Sequence, residues 1–129
     1  MHVTDAERRI LDVLWADSPL GAADIDAALA AAGGDWHRKT VNTLISRLVE
    51  KGALLLADES RPKRYAPAID RRTFARAELS ELARGLFGGR VAPLVATLVE
   101  AEQISDEDLS ALKALVARLE ADAGRDGDD

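Results

Sequence analysis

The sequence contains no cysteine, only two histidines and few aromatic residues, and each shortage excludes a class of protein. Without cysteine there is no disulfide framework, no thiolate metal site and no cysteine nucleophile, which is compatible with a reducing compartment. His2 and His37 lie far apart in the chain, so no zinc site is expected. With 4% aromatic residues, Leu, Val, Ile and Ala must fill the core that a 47% hydrophobic share provides.

Further absences concern membranes and catalysis. No stretch approaches the roughly 18 uninterrupted apolar residues of a membrane span, and the N-terminus lacks the layout of a signal peptide. We therefore expect a cytoplasmic protein without membrane insertion. The sequence also offers no candidate nucleophile, glycine-rich phosphate loop or metal cluster. We expect no enzyme activity, no cofactor and no bound metal.

Charge is unevenly distributed along the 129 residues, whose formal net charge is -6. Residues 1–36 and residues 65–129 each carry a charge of -5, whereas residues 37–64 carry seven Lys or Arg against three acidic residues. Acidic flanks repel a polyanion, so the basic segment favours an anionic partner that binds locally.

Helical periodicity and capping signals predict three helices in the first half of the chain. The first follows Thr4, which forms a capping box with Glu7. The second follows Gly21, and the third runs from about His37 to Gly52 with apolar residues at spacings of three and four. Two short strands then flank a polar tip at residues 58–62, which predicts a basic hairpin after the helices.

The second half of the chain predicts three more helices, the last beginning after Ser105 with Asp108 as its capping acid. The fold class is therefore mainly α, with a winged helix-turn-helix DNA-binding domain at residues 1–69 and a three-helix dimerisation region at 70–123. Residues 124–129 are expected to form a disordered tail. The apolar series of these helices exceeds what a monomer easily hides, which predicts a homodimer held by Leu94, Leu98, Leu109, Leu112, Val116 and Leu119.

The outward face of the third helix suits DNA recognition. Once the apolar residues are turned inward, the helix presents Arg38, Lys39, Thr40, Asn42, Thr43, Ser46 and Arg47. Such side chains hydrogen-bond base edges, contact the thymine methyl group or bind phosphates. The hairpin adds Arg61 and Lys63, with Arg64 beside them, for backbone phosphates or a minor groove. Trp15 and Trp36 flank apolar series and are interpreted as core or loop anchors instead of base-stacking platforms.

Several alternatives stay open on these residues alone. A basic amphipathic helix is often only a solvated surface. Many winged helices bind proteins instead of DNA, which would make this chain an interaction module without DNA specificity. A small-molecule-responsive regulator is a third hypothesis, for which no residue marks a ligand cavity.

Four segments together resemble the penicillinase-repressor family, also called BlaI/MecI/CopY transcriptional regulators: "AERRILDVLWADSPLGAADI", "KTVNTLISRLVEKGAL", "KRYAPAI" and "ARGLFGGRVAPLVATLVEAEQISDEDLSALKALVARLE". The resemblance covers roughly residues 4–121, and its most specific part is T-V-x-T-L-I-x-R-L at residues 40–48. It implies a dimeric winged-helix repressor that occupies a palindromic operator. The recognition-helix positions that match the family are Lys39, Thr40, Thr43, Ser46 and Arg47.

The resemblance also implies a way of release. In antibiotic-responsive members a membrane-bound sensor protease cuts the C-terminal domain at an Asn-Phe bond. That bond aligns with the bond between Thr97 and Leu98 here, so this chain differs from the family at both residues of the cleavage site. Copper-responsive members carry C-terminal cysteines as metal ligands. This chain has none, so copper sensing by that route is not expected.

Overall fold

The computed structural model describes residues 2–126. Within them six helices and three short strands follow one another, which confirms the mainly α fold class and the predicted order of a winged helix-turn-helix before three C-terminal helices. In chain order the elements are α1 (Asp5–Ala16), β1 (Leu20–Gly21), α2 (Ala22–Ala31), α3 (Arg38–Glu50), β2 (Leu54–Asp58), β3 (Arg64–Pro67), α4 (Arg71–Phe87), α5 (Val91–Glu100) and α6 (Asp106–Asp126).

Capping residues define the ends of the first helices. Thr4 and Glu7 form the predicted capping box at the start of α1, with each side chain accepting from the other's backbone N–H. At the end of α3, Gly52 has a φ of +80°, the left-handed conformation that glycine adopts without strain. The N–H of Ala53 then bonds to the carbonyl of Leu48 at 2.9 Å, which completes a Schellman motif.

The wing is part of a three-stranded antiparallel sheet with the order β1-β3-β2. The two-residue strand β1 is an edge strand, and its Leu20 pairs with Tyr65 of β3. The sequence pattern did not predict this strand. Strand β3 extends to Pro67, which pairs with Leu54. The sequence pattern predicts that this strand runs from about Arg64 to Ala66, so the observed strand is one residue longer. Proline is tolerated here because it is the last residue of the strand.

One core lies under the helix-turn-helix. It consists of apolar residues of α1, α2, α3, β2 and α4, together with one residue before α1 and one before β2, namely Val3, Ile10, Leu11, Leu14, Ile25, Leu29, Val41, Leu44, Ile45, Leu48, Ala53, Leu54 and Phe74. Trp15 packs against this core, with its ring 5.4 Å from that of Phe74 and its Nε1–H donating to the carbonyl of Ile69 at 2.9 Å. The interpretation of Trp15 as an anchor is confirmed.

The chain divides between Ala77 and Glu78, within α4, into an N-terminal and a C-terminal unit. The sequence predicted a boundary between residues 69 and 70. Because Phe74 belongs to the N-terminal core, packing extends that unit into α4, and the ranges 1–69 and 70–123 stay predictions.

The C-terminal unit consists of the rest of α4 with α5 and α6. Ser105 and Asp108 form the predicted capping box at the start of α6. This helix continues through residue 126, so residues 124–126 of the predicted tail are helical, whereas residues 127–129 lie outside the described residues. The apolar spacing ends before residue 124, but local backbone hydrogen bonds allow a polar helix end to continue.

Candidate nucleic-acid interface

Helix α3 separates into a buried face and an exposed polar face. Val41, Leu44, Ile45 and Leu48 are buried in the core. All seven residues predicted to contact DNA from this helix are exposed: Arg38, Lys39, Thr40, Asn42, Thr43, Ser46 and Arg47. The helix therefore brings the predicted residues together on one accessible surface, and their contacts with DNA stay a prediction.

Local hydrogen bonds organise the first turns of α3. The side chain of His37, the N-cap residue, accepts from the backbone N–H of Lys39 at 3.1 Å. The hydroxyl of Thr43 donates to the carbonyl of Lys39 at 2.9 Å. Because a hydroxyl has a single hydrogen, Thr43 offers its oxygen lone pairs and its methyl group outward. Those groups match a base amino group and a thymine methyl in the major groove.

The basic residues of this surface are free of ion pairs in the part of the chain that the structure describes. The ion pairs among residues 2–126 involve Arg8, Lys51, Arg71 and Arg125. Arg38, Lys39 and Arg47 do not belong to that set, so their charge is available to an external anion.

The wing presents basic residues around a turn stabilised by an acid. Asp58 accepts hydrogen bonds from the side chain and the backbone N–H of Ser60, and these hydrogen bonds, with a smaller contribution from Arg64, lower its pKa. Arg61 and Lys63 lie in the exposed tip between β2 and β3. The carboxylate of Asp58 therefore stabilises the turn through its hydrogen bonds with Ser60, while the two predicted basic residues stay accessible.

One polar contact near the recognition helix has no signal in the sequence pattern. Lys51, the C-cap of α3, places Nζ 2.6 Å from Oε1 of Glu7, a buried residue on α1. Burial raises the pKa of Glu7, but hydrogen bonds from Lys51 and Thr4 outweigh it, so the pKa is lowered overall. The sequence pattern marks Glu7 only as a capping acid, because a pair 44 positions apart leaves no local signal.

The predicted dimer contacts form a separate apolar surface on α5 and α6. Leu98, Leu109, Val116 and Leu119 are 38% to 57% exposed, and Leu94 and Leu112 are half-buried. Two apolar grooves of about 410 and 350 Å³ lie on these helices and share Val95, Ile104 and Leu112. None of residues 78–125 is buried, so this unit leaves its apolar side chains accessible to another surface.

Metal ligands and membrane spans have no candidate among the described residues. Residues 2–126 contain no group of three or more His, Asp or Glu side chains arranged to hold a metal ion. No single helix of this range has the length and hydropathy to cross a membrane. Helices α4 and α5 have the required length and hydropathy only when taken together, and the pair is bent by 89°.

Comparison with known proteins gives consistent matches along the chain. The sequence profile of the family described as "Penicillinase repressor" matches residues 3–118. The penicillinase repressor of Bacillus licheniformis is 27% identical over 111 residues, which cover 86% of each chain. The transcriptional regulator BlaI of Mycobacterium tuberculosis is 31% identical over 131 aligned positions, covering 93% of this chain and 86% of the relative.

Among solved structures, the DNA-binding domain of the repressor BlaI is 33% identical to the matched part of this chain. The match covers 54% of this chain and 84% of that domain, with a TM-score of 0.49.

Proposed function

Because the chain belongs to the penicillinase repressor family, we propose that it is a transcriptional repressor that occupies a palindromic operator as a homodimer. The observation that carries the proposal is the exposed face of α3, where Thr, Asn and Ser lie between basic residues that lack ion pairs within residues 2–126. Bound at an operator, the dimer would exclude the transcription machinery from overlapping DNA.

Helix α3 is the proposed reader of the major groove. Asn42, Thr43, Ser46 and Arg47 have the hydrogen-bonding groups that distinguish base edges, whereas Arg38 and Lys39 are placed near the helix start to bind phosphates. Thr40 lies among them, in the half of the helix from which recognition helices usually contact bases.

The wing is proposed to bind the DNA backbone or the minor groove through Arg61 and Lys63. Both residues are exposed on a short turn, where flexible basic side chains can follow a phosphate without a defined base partner. They would contribute affinity more than sequence choice.

A homodimer is proposed from the apolar surface of the C-terminal unit. Exposed leucines and valines on α5 and α6 favour burial against a second copy, and a two-fold axis pairs the same surface with itself. Two symmetric recognition helices would then read half-sites separated by about one helical turn, roughly 10 bp, or a multiple of it.

Release by a membrane sensor protease is the finer part of the proposal. The bond aligned with the family's cleavage site joins Thr97 and Leu98, which are exposed on α5, and Leu98 is itself one of the proposed dimer contacts. A cut there would divide the helix that carries the dimer contacts. Mass spectrometry after co-expression with a sensor protease would locate the cut, and a cut elsewhere would contradict this assignment.

We also propose that the protein is cytoplasmic, where it has access to chromosomal DNA.

DNA binding is tested by selecting duplexes from a random-sequence library and measuring the affinity for the selected duplex against salt concentration. If about six to eight phosphates are contacted per dimer, log affinity should fall against log salt with a slope of about -5 to -7. A slope near zero, with no palindrome selected, would reject DNA binding and favour a protein-interaction module.

A further inference from the structure

The recognition helix has one side-chain hydrogen bond to another helix within residues 2–126. It joins Lys51, just after the last turn of α3, to Glu7 on α1, with 2.6 Å between Nζ and Oε1. The other side-chain hydrogen bonds of this helix, made by His37 and Thr43, stay within α3 and its N-cap. In the described part of the chain, the polar connection to a second helix is therefore at the end opposite to the first predicted base contacts.

Capping alone does not explain the burial of Glu7. Asp108 makes the same capping box with Ser105 at the start of α6 and is exposed, whereas Glu7 is 1% exposed. The second oxygen of Glu7, Oε2, has no hydrogen-bond partner among the described residues. A buried carboxylate destabilises the folded state unless a partner offsets its desolvation, so this arrangement favours a role for the Lys51 contact itself.

Apolar packing and the ion pair constrain α3 in different ways. Val41, Leu44, Ile45 and Leu48 hold the helix against the core, but apolar attraction is not directional and tolerates small rotations and shifts along the axis. A short charge-assisted hydrogen bond restricts both distance and angle. Because the 13-residue helix is about 20 Å long, a small tilt at the Lys51 end displaces the far end.

We propose that Glu7 and Lys51 are positioning residues, which fix the orientation of α3 so that its polar face meets the base edges in register. The inference rests on the proposed DNA-binding function. Base contacts require alignment of donors and acceptors, whereas phosphate contacts by flexible side chains tolerate small displacements. Loss of the pair should therefore weaken sequence choice and leave sequence-independent binding nearly unchanged.

The test uses the full-length dimer carrying Glu7→Gln and Lys51→Met together. This double variant keeps the net charge, retains a side chain that can complete the capping box and leaves no buried charge without its partner. Affinity is measured for the palindromic duplex selected by the wild type and for a scrambled duplex of the same composition. The ratio of the two affinities should fall about tenfold, comparable to the loss of one base contact, with the melting temperature near that of the wild type.

Two control variants separate orientation from stability and charge. Lys51→Arg keeps a cation at the site and should preserve most of the affinity ratio. Asp5→Asn combined with Arg8→Gln removes the ion pairs that Arg8 makes on the same helix with Asp5 at 3.5 Å and with Asp12 at 3.8 Å, and should leave the ratio unchanged.

The outcomes distinguish this inference from the function on which it rests. An unchanged affinity ratio in the folded double variant would overturn the positioning role, whether both affinities are preserved or both fall by the same factor. A double variant that cannot fold would also overturn it, because the pair would then serve the stability of the domain. If the wild type selects no duplex at all, the DNA-binding function itself fails.

Discussion

At the scale of single residues, Arg47 combines charge with a planar donor group on the exposed face of α3. It makes no ion pair within residues 2–126, so no described side chain competes for it. We expect Arg47→Ala to lower the affinity for the selected palindrome by about 5- to 150-fold, because a bidentate base contact contributes about 1–3 kcal/mol. Filter binding at constant salt measures the loss, with Arg118→Ala on α6 as the matched exposed control. Equal losses in both variants would assign Arg47 no special role.

Glu7 makes stability depend on pH in the acid range. Its pKa is lowered from 4.5 in the folded protein, since the hydrogen bonds from Lys51 and Thr4 outweigh burial. The resulting stabilisation is present above the unfolded pKa and is lost as pH falls through the folded value. Glu7→Gln should therefore lose less stability than the wild type between neutral and acid pH in thermal melts. Some loss should persist, because Asp58 and Asp70 also have lowered pKa values; parallel curves would contradict the prediction.

At the scale of elements, local signals account for how α3 begins and ends. Gly52 follows the C-cap with a φ of +80°, and a Cβ added there would meet no atom within 4 Å. Gly52→Ala should therefore destabilise the protein by about 1 kcal/mol through backbone strain alone. Urea unfolding followed by circular dichroism measures the change.

Gly85 provides the opposite control for the same substitution. It lies within α4, has no unusual φ, and a Cβ added there would also meet no atom within 4 Å. Gly85→Ala should stabilise the helix by about 0.5–1 kcal/mol, because alanine loses less backbone entropy than glycine. Two substitutions of equal effect would show that the sign of φ does not decide the outcome.

Elements that depend on distant partners were harder to predict. Strand β1 has two residues, too few for an alternating pattern, and exists because Leu20 and Gly21 pair with β3. The sequence pattern places the first turns of α4 in the C-terminal region, yet Phe74 packs in the N-terminal core. Both differences come from contacts between segments far apart in the chain, which no local periodicity encodes.

At the scale of the whole molecule, the C-terminal unit is expected to depend on a second copy. Leu109 on α6 and Leu55 on β2 are both 46% exposed, which makes them a matched pair. Leu109→Glu should convert the dimer to a monomer, since a carboxylate would be buried in an apolar interface. Leu55→Glu should leave the dimer intact.

Sedimentation measures the association state of both variants. Because the second half-site contact becomes intermolecular in a monomer, the affinity of Leu109→Glu for the palindrome should fall by about a hundredfold or more. A dimer that survives Leu109→Glu would place the interface on another face.

The sequence by itself determined the helices, the wing and the exposed polar face of α3, because capping boxes, glycine terminators and apolar spacing act within a few residues. The family resemblance added the expectation of a repressor. Only the tertiary structure decided that Glu7 is buried against Lys51 and that β1 forms an edge strand of the sheet beside β3. These features join residues about 44 positions apart, and such pairings arise from packing in three dimensions, which acts on residues regardless of their separation in the chain.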